Sequence, residues 1–163
     1  METERTRLRL LTLDDAEAVY NYFSDPEVTK FMDIEPCKDL KDAEDIIRYH
    51  LDDDGCRWGL FDKTTELLMG TVGFHCLRKT ENIFMAEIGY DLSMEYWGKG
   101  FMTEALTTVI SFGFNQWGFD VIDATVEPEN QRSINVLKKL GFVNAMDLND
   151  HLFYFYLEKP IPL

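Results

Sequence analysis

The segment Tyr96-Trp97-Gly98-Lys99-Gly100-Phe101-Met102-Thr103-Glu104-Ala105 holds the residues best suited to chemistry on an anion. Two glycines two residues apart permit a tight turn and let the backbone approach a ligand closely. The apolar spacing that follows, through Ala105, Leu106, Val109, Ile110 and Phe112, predicts a helix that starts at this turn. The first N–H groups of such a helix point into the turn and, with the helix dipole, make an anion site. Lys99 adds a point charge and the Thr103 hydroxyl a hydrogen bond, so a pyrophosphate suits this environment. The third glycine of a dinucleotide-binding fingerprint is missing and GxxxxGK[ST] is absent, which indicates neither a Rossmann site nor a P-loop.

A second segment, Val126 to Phe142, reads as a capped helix leading into a strand. Asn130 or Ser133 caps it, Ile134, Leu137 and Leu140 give it an apolar face, and Gly141 allows a left-handed exit. Between the two segments and the N-terminal half runs a strand in which Ala86, Ile88 and Tyr90 alternate. That alternation puts Glu87 on the other face, where its carboxylate is the first choice for a general base. Asp91 and Glu35 are lesser choices, and His50, His75 and His151 read first as structural. Trp58 and Phe74, like Tyr90, sit on strands, where aromatics are more often core than the lining of an acceptor pocket. Cys37, Cys56 and Cys76, spaced near twenty residues apart, fit neither CxxC nor a zinc knuckle and read as small buried apolar residues. No cluster has metal-ligand spacing, and no metal is expected.

These residues need elements to hold them. Arg7 to Leu13 alternates as a strand; a helix opens at Asp14 or Asp15 and ends at Ser24-Asp25-Pro26, with a short helical turn near Val28 to Met32. Asp39 to Asp52 reads as an amphipathic helix with Leu40, Ala43, Ile46, Ile47 and Leu51 on its inner stripe. Three strands follow in an antiparallel meander, Cys56 to Phe61, Leu67 to Leu77 and Ile83 to Leu92. The helix Gly100 to Phe114, the strand Val121 to Val126, the helix Ser133 to Leu140 and the strands Phe142 to Met146 and Leu152 to Leu157 complete the chain. A short loop, Asp147 to Asp150, joins the last two strands and leaves the acceptor cleft open or dependent on a partner subunit. The order β-α-α-β-β-β-α-β-α-β-β makes an α/β chain with a mixed sheet and helices on both faces, in a single domain over residues 1–163.

Taken together, three pieces of sequence resemble the GNAT superfamily of N-acetyltransferases, and more narrowly the branch that includes the ribosomal-protein alanine N-acetyltransferases. They are Glu87-Ile88-Gly89-Tyr90, then Trp97 through Ala105, then Asn130-Gln131-Arg132-Ser133 followed by Lys138-Lys139-Leu140-Gly141-Phe142. The opening Thr6-Arg7-Leu8-Arg9-Leu10 is similar too. The resemblance implies a GNAT-like fold with a central, mostly antiparallel sheet. It implies transfer of an acetyl group from acetyl-CoA, as co-substrate, to a primary amine, either a small amine or a protein N-terminus. Trp97, Gly98, Lys99, Gly100, Phe101, Met102 and Thr103 would line the pyrophosphate site, although Trp97 and Met102 stand where the family more often has Gln or Arg and Gly or Ala. Asn130 and Ser133 would lie near the pantetheine arm, and the strand from Glu87 to Leu92 would pair with its amides. The resemblance assigns a backbone N–H of Tyr90 or Asp91 to polarising the acetyl carbonyl, and the Ser133 hydroxyl to protonating the leaving thiolate. A CoA-binding module without transfer activity is the alternative within the same fold.

Composition narrows the partners. With 16 Lys and Arg against 30 Asp and Glu, the net charge is −14, which argues against binding nucleic acid and mildly favours a cationic acceptor. Polyamines, aminoglycosides and amino acids join protein N-termini as acceptor classes. No apolar leader or membrane-length run is present, so a reducing cytoplasm and no membrane partner are expected. A homodimer, the commonest closed assembly, stays open as an arrangement.

Overall fold

The computed structural model describes residues 1–149 and 151–161, the side chains of 146–149 excepted. Seven strands form one sheet in the order β1-β2-β3-β4-β5-β7-β6. They are β1 (Thr6–Leu10), β2 (Cys56–Asp62), β3 (Leu68–Lys79), β4 (Phe84–Leu92), β5 (Val121–Val126), β6 (Val143–Asn149) and β7 (Leu152–Glu158). Every neighbouring pair is antiparallel except β4 and β5, which run parallel. A parallel pair needs a crossover, and helix α4 (Phe101–Phe112), with its continuation through Trp117, provides it.

Two apolar cores flank the sheet. One joins Leu60, Phe74, Ala86, Ile88 and Ile122 to Ala105, Leu106 and Val109 of α4 and to Ile134 and Leu137 of α5 (Gln131–Lys139). The other joins Phe61 to Val19 and Phe23 of α1 (Ala16–Phe23), Val28 of α2 (Pro26–Thr29) and Ala43 and Ile47 of α3 (Leu40–Asp52). Leu60 and Phe61 are consecutive in a strand and therefore face opposite ways, so α4 and α5 cover one face and α1 to α3 the other. Trp58 and Phe74 belong to the first core, edge to face at 6.2 Å.

The expected order of elements holds, with shifted ends. The first strand stops at Leu10, and a 3-10 turn over Leu13–Asp15 leads into α1. In α3 only Ala43 and Ile47 are buried; Leu40 and Leu51, expected on the inner stripe, are 51% and 50% exposed at the two ends of the helix, beyond the sheet's reach. β6 runs on through Asn149, so the loop expected from Asp147 is strand for three of its residues, and Asp150 lies outside the described residues.

One departure from regularity positions the site. Among the described residues β4 and β5 pair only through Met85↔Val121, Ala86↔Ile122 and Glu87↔Asp123. Beyond those rungs β4 continues to Leu92, still paired with β3, and β5 to Val126, still paired with β7. The two strands diverge, and the sheet opens into a fork.

Candidate active site

The fork widens into a cleft of about 360 Å³. Its walls come from Tyr90 to Leu92 of β4, the N-terminus of α4, the first turns of α5, and Val28, Phe31 and Met32 at α2. Gly98 and Gly100 shape the turn before α4 with φ of 71° and 82°, values open to glycine and uncommon for other residues. Gly100 is the N-cap and offers no side chain. The first helical bond is donated by Glu104 N–H to Gly100 O at 3.0 Å, so the N–H groups of Phe101, Met102 and Thr103 are directed out of the helix end.

Arg5 braces this turn from β1's approach. Its Nη1 donates to Lys99 O at 3.0 Å, its Nε to Glu104 Oε2 at 2.7 Å, and its guanidinium stacks 4.1 Å from the Phe101 ring centroid. Lys99 itself is exposed and does not line the cleft; its ammonium lies over the Tyr96 ring, 5.9 Å away. The Lys99 side chain expected at the pyrophosphate thus lies outside the lining of the cleft. Arg132 and Lys139 both line the cleft from α5, and the Arg132 guanidinium lies 3.4 Å over the Trp97 ring. Trp97 is held in turn by its Nε1–H, which donates to Leu92 O at 2.7 Å.

On the opposite wall Asn130 caps α5, its Oδ1 accepting from Ser133 N–H at 3.2 Å. The cap turns Ser133 towards β4. Ser133 Oγ donates to the Tyr90 hydroxyl at 2.7 Å, and that hydroxyl donates to Ser133 O at 3.2 Å. Burial pushes the Tyr90 phenol up to about 12, against a smaller opposing effect of the Ser133 hydrogen bond, so it stays protonated at neutral pH. Tyr90, Leu92, Trp97, Gly98, Gly100, Phe101, Met102, Thr103, Asn130 and Ser133 all meet at this one cleft.

Glu87 lies on the far side of the sheet from this pair of hydroxyls. Its Oε1 accepts from Thr125 Oγ1 at 2.6 Å and from Thr125 N–H at 3.3 Å, just past the last rung of the fork. Its Oε2 stands 3.8 Å from His75 Nε2. Burial lowers the His75 pKa from its ordinary value, with Glu87 opposing, which favours a neutral imidazole beside the carboxylate. Asp91, also weighed as a base, is instead saturated: Tyr22 Oη–H, Thr71 N–H, Thr71 Oγ1–H and Arg57 Nη2 all donate to it. Glu35 is exposed in the loop after α2 and does not line the cleft.

The sequence reading missed Arg5, Arg132, Lys139 and the Tyr90 phenol. Arg132 lies within the Asn130–Ser133 motif, but its stacking on a tryptophan 35 residues earlier leaves no local trace. Arg5 acts on a turn 94 residues away.

A family model described as an acetyltransferase (GNAT) domain matches residues 5–143. The chain belongs to the GNAT acetyltransferases. As a GNAT member it is an N-acetyltransferase, and it is 40% identical over 153 residues to an uncharacterized N-acetyltransferase p20 of Bacillus licheniformis, covering 91% of this chain and 85% of that one. It is 29% identical to the ribosomal protein uS5 alanine N-acetyltransferase of Escherichia coli, over 66% of this chain and 55% of that protein. The spermidine N-acetyltransferase of Vibrio cholerae, solved with CoA and spermine, shares the GNAT fold at a TM-score of 0.80 with 20% identity, covering 94% of this chain and 95% of the other.

Proposed function

We propose that this GNAT chain transfers the acetyl group of acetyl-CoA directly to a primary amine. The observation that carries the reading is the Ser133–Tyr90 hydroxyl pair, set in the mouth of a strand fork beside a helix N-terminus with three outward N–H groups. Acetyl-CoA supplies an activated thioester, a pyrophosphate and an amide-bearing arm. The turn at Gly98 and Gly100, with Arg132 and Lys139, provides a positive place for the pyrophosphate in an otherwise acidic protein. The unpaired side of β4 offers main-chain groups to the amides, as a sheet edge accepts an added strand. A main-chain N–H of Tyr90 or Asp91, on the stretch of β4 beyond its last rung with β5, polarises the thioester carbonyl in this reading.

The amine enters from the opposite face. Glu87 takes its proton, directly or through water, with neutral His75 alongside. The amine nitrogen bonds to the acetyl carbon, the carbon–sulfur bond breaks, and Ser133 gives its proton to the sulfur; the hydroxyl pair then reorients so that Tyr90 passes its proton to Ser133 Oγ and regains one from solvent, while Glu87 releases its own to solvent. The products are an N-acetylated amine and coenzyme A. The net charge of −14 favours a cationic acceptor, in line with a relative that acts on spermidine and another that acts on a ribosomal-protein alanine.

The experiment is thiol release from acetyl-CoA against an acceptor panel of spermidine, an alanine-initiated peptide, a free amino acid and an aminoglycoside. Turnover with one class, lost in Glu87→Gln, supports the reading. Binding of CoA without turnover on any acceptor would replace it with the silent CoA-binding module.

A further inference from the structure

His75 and Cys76 are consecutive in β3, and in a regular strand their side chains would face opposite ways. The register of β3 against β4 slips between His75 and Arg78, and Cys76 adopts φ 48°, a left-handed conformation that is uncommon for a non-glycine residue. Glu87 is the direct cross-strand partner of His75. The outcome is that a His nitrogen, the Cys76 sulfur and a Glu87 oxygen all lie within 4.8 Å of one another.

We propose that His75, Cys76 and Glu87 form a binding site for a divalent metal of the zinc class, on the sheet face opposite α4 and α5. The donor set of imidazole, thiolate and carboxylate suits zinc and its borderline neighbours, whereas calcium and magnesium take oxygen ligands. Zinc bonds of about 2.0–2.3 Å in a tetrahedron put donors roughly 3.3–3.7 Å apart. The 3.8 Å between His75 Nε2 and Glu87 Oε2 is near that span, and the exposed Cys76 side chain closes the rest by rotation. Thr125 holds the other oxygen of Glu87 from behind, the outer-shell support that orients metal-ligating carboxylates. The two nearby guanidiniums are already engaged, Arg57 with Asp91 and Arg78 with Asp123. Solvent access through Cys76 leaves a fourth position open. The backbone conformation of Cys76 thereby acquires a purpose, since such outliers persist where the surroundings impose them.

Binding does not depend on the role proposed for Glu87. Its consequence does, because metal held at Glu87 removes the base and suppresses acetyl transfer.

The test is titration of tag-free, reduced protein with Co²⁺, followed by absorption. The expected result is one cobalt per chain, with thiolate-to-cobalt charge transfer in the near ultraviolet and tetrahedral d–d bands in the visible. Cys76→Ser abolishes the charge transfer, while Cys37→Ser and Cys56→Ser keep it. His75→Gln and Glu87→Gln weaken apparent affinity at least tenfold, and Thr125→Val weakens it about tenfold through the outer shell. Circular dichroism of metal-free Cys76→Ser matching the parent shows that the fold is retained. Absence of charge transfer at saturating cobalt, or its persistence in Cys76→Ser, overturns the site. In a parallel assay Zn²⁺ inhibits transfer by the parent and spares Cys76→Ser. Metal binding without inhibition leaves the site standing and removes Glu87 from the chemistry.

Discussion

If Ser133 and Tyr90 act as one proton-delivering unit, a double-mutant cycle on them has a definite form. Ser133→Ala removes the terminal donor, and a positioned general acid contributes about 10²–10⁴ in rate. Tyr90→Phe keeps the ring in its half-buried place but deletes the acceptor 2.7 Å from Ser133 Oγ and the donor 3.2 Å from Ser133 O. Two hydrogen bonds of about 1 kcal/mol each set the scale of that loss. The corresponding fall in kcat is about tenfold to thirtyfold, since each 1.36 kcal/mol is a factor of ten. Because Tyr90 works through Ser133, the double variant should turn over no more slowly than Ser133→Ala alone. The coupling energy then equals nearly the whole Tyr90→Phe effect, about 1.4–2 kcal/mol. Initial rates of thiol release give kcat and KM for acetyl-CoA in all four proteins, and the effect should fall on kcat. Because the phenol is pushed up to about 12, it contributes no alkaline limb to the rate below about pH 10. Strictly multiplicative losses, or a Tyr90→Phe effect confined to KM, would refute the relay.

Two predictions concern the opposite face. Asp91→Ala strands Arg57, whose side chain is 14% exposed, and removing one member of a buried pair costs about 3–5 kcal/mol. Urea denaturation should therefore show a large fall in midpoint, and a change below about 1 kcal/mol would mean that water enters this network freely. His50, lowered from 6.5 to about 4 chiefly by burial, is neutral in the fold while the unfolded chain gains a proton near 6.5. Its contribution is complete above pH 6.5 and is lost as pH falls towards 4, by at most about 3–4 kcal/mol. His50→Gln should flatten the acid side of the stability profile relative to the parent, and superimposable slopes would contradict the assignment.

What could be read from sequence followed the reach of the interactions involved. The turn at Gly98 and Gly100 and the cap of α5 are local events, encoded within a few residues, and both stand where the spacing put them. Alternation placed Glu87 and Tyr90 on opposite faces of β4, but it said nothing of the Tyr90 phenol meeting α5, because that contact joins residues 43 apart. Residue type alone makes all three cysteines buried apolar residues; in the fold Cys37 is buried, Cys56 half-buried and Cys76 exposed. The regular period of two, which served for β4, failed in β3 because the chain slips its register there. The same slip hid the grouping of His75, Cys76 and Glu87, since ligand spacing along the chain cannot reveal a cross-strand partner. Leu40 and Leu51 fit a helical stripe by angle, but the stripe extends past the surface it packs on.

Among the described residues three rungs join β4 to β5, and beyond them the sheet contains two facing edges in its interior. Proteins ordinarily hide such edges, because any extended chain can pair with them. Main-chain hydrogen bonds are alike for every amide, so the fork by itself distinguishes a pantetheine arm from a stray peptide only poorly. Selection is therefore displaced to the two ends of the opening. On the proposed acetyl-CoA reading, one end takes a negative group, at the helix terminus and Arg132, and the other a bond whose rupture needs a proton, at Ser133 and Tyr90. An ordinary peptide brings no thioester to the second end, and its occupancy would be without chemical consequence.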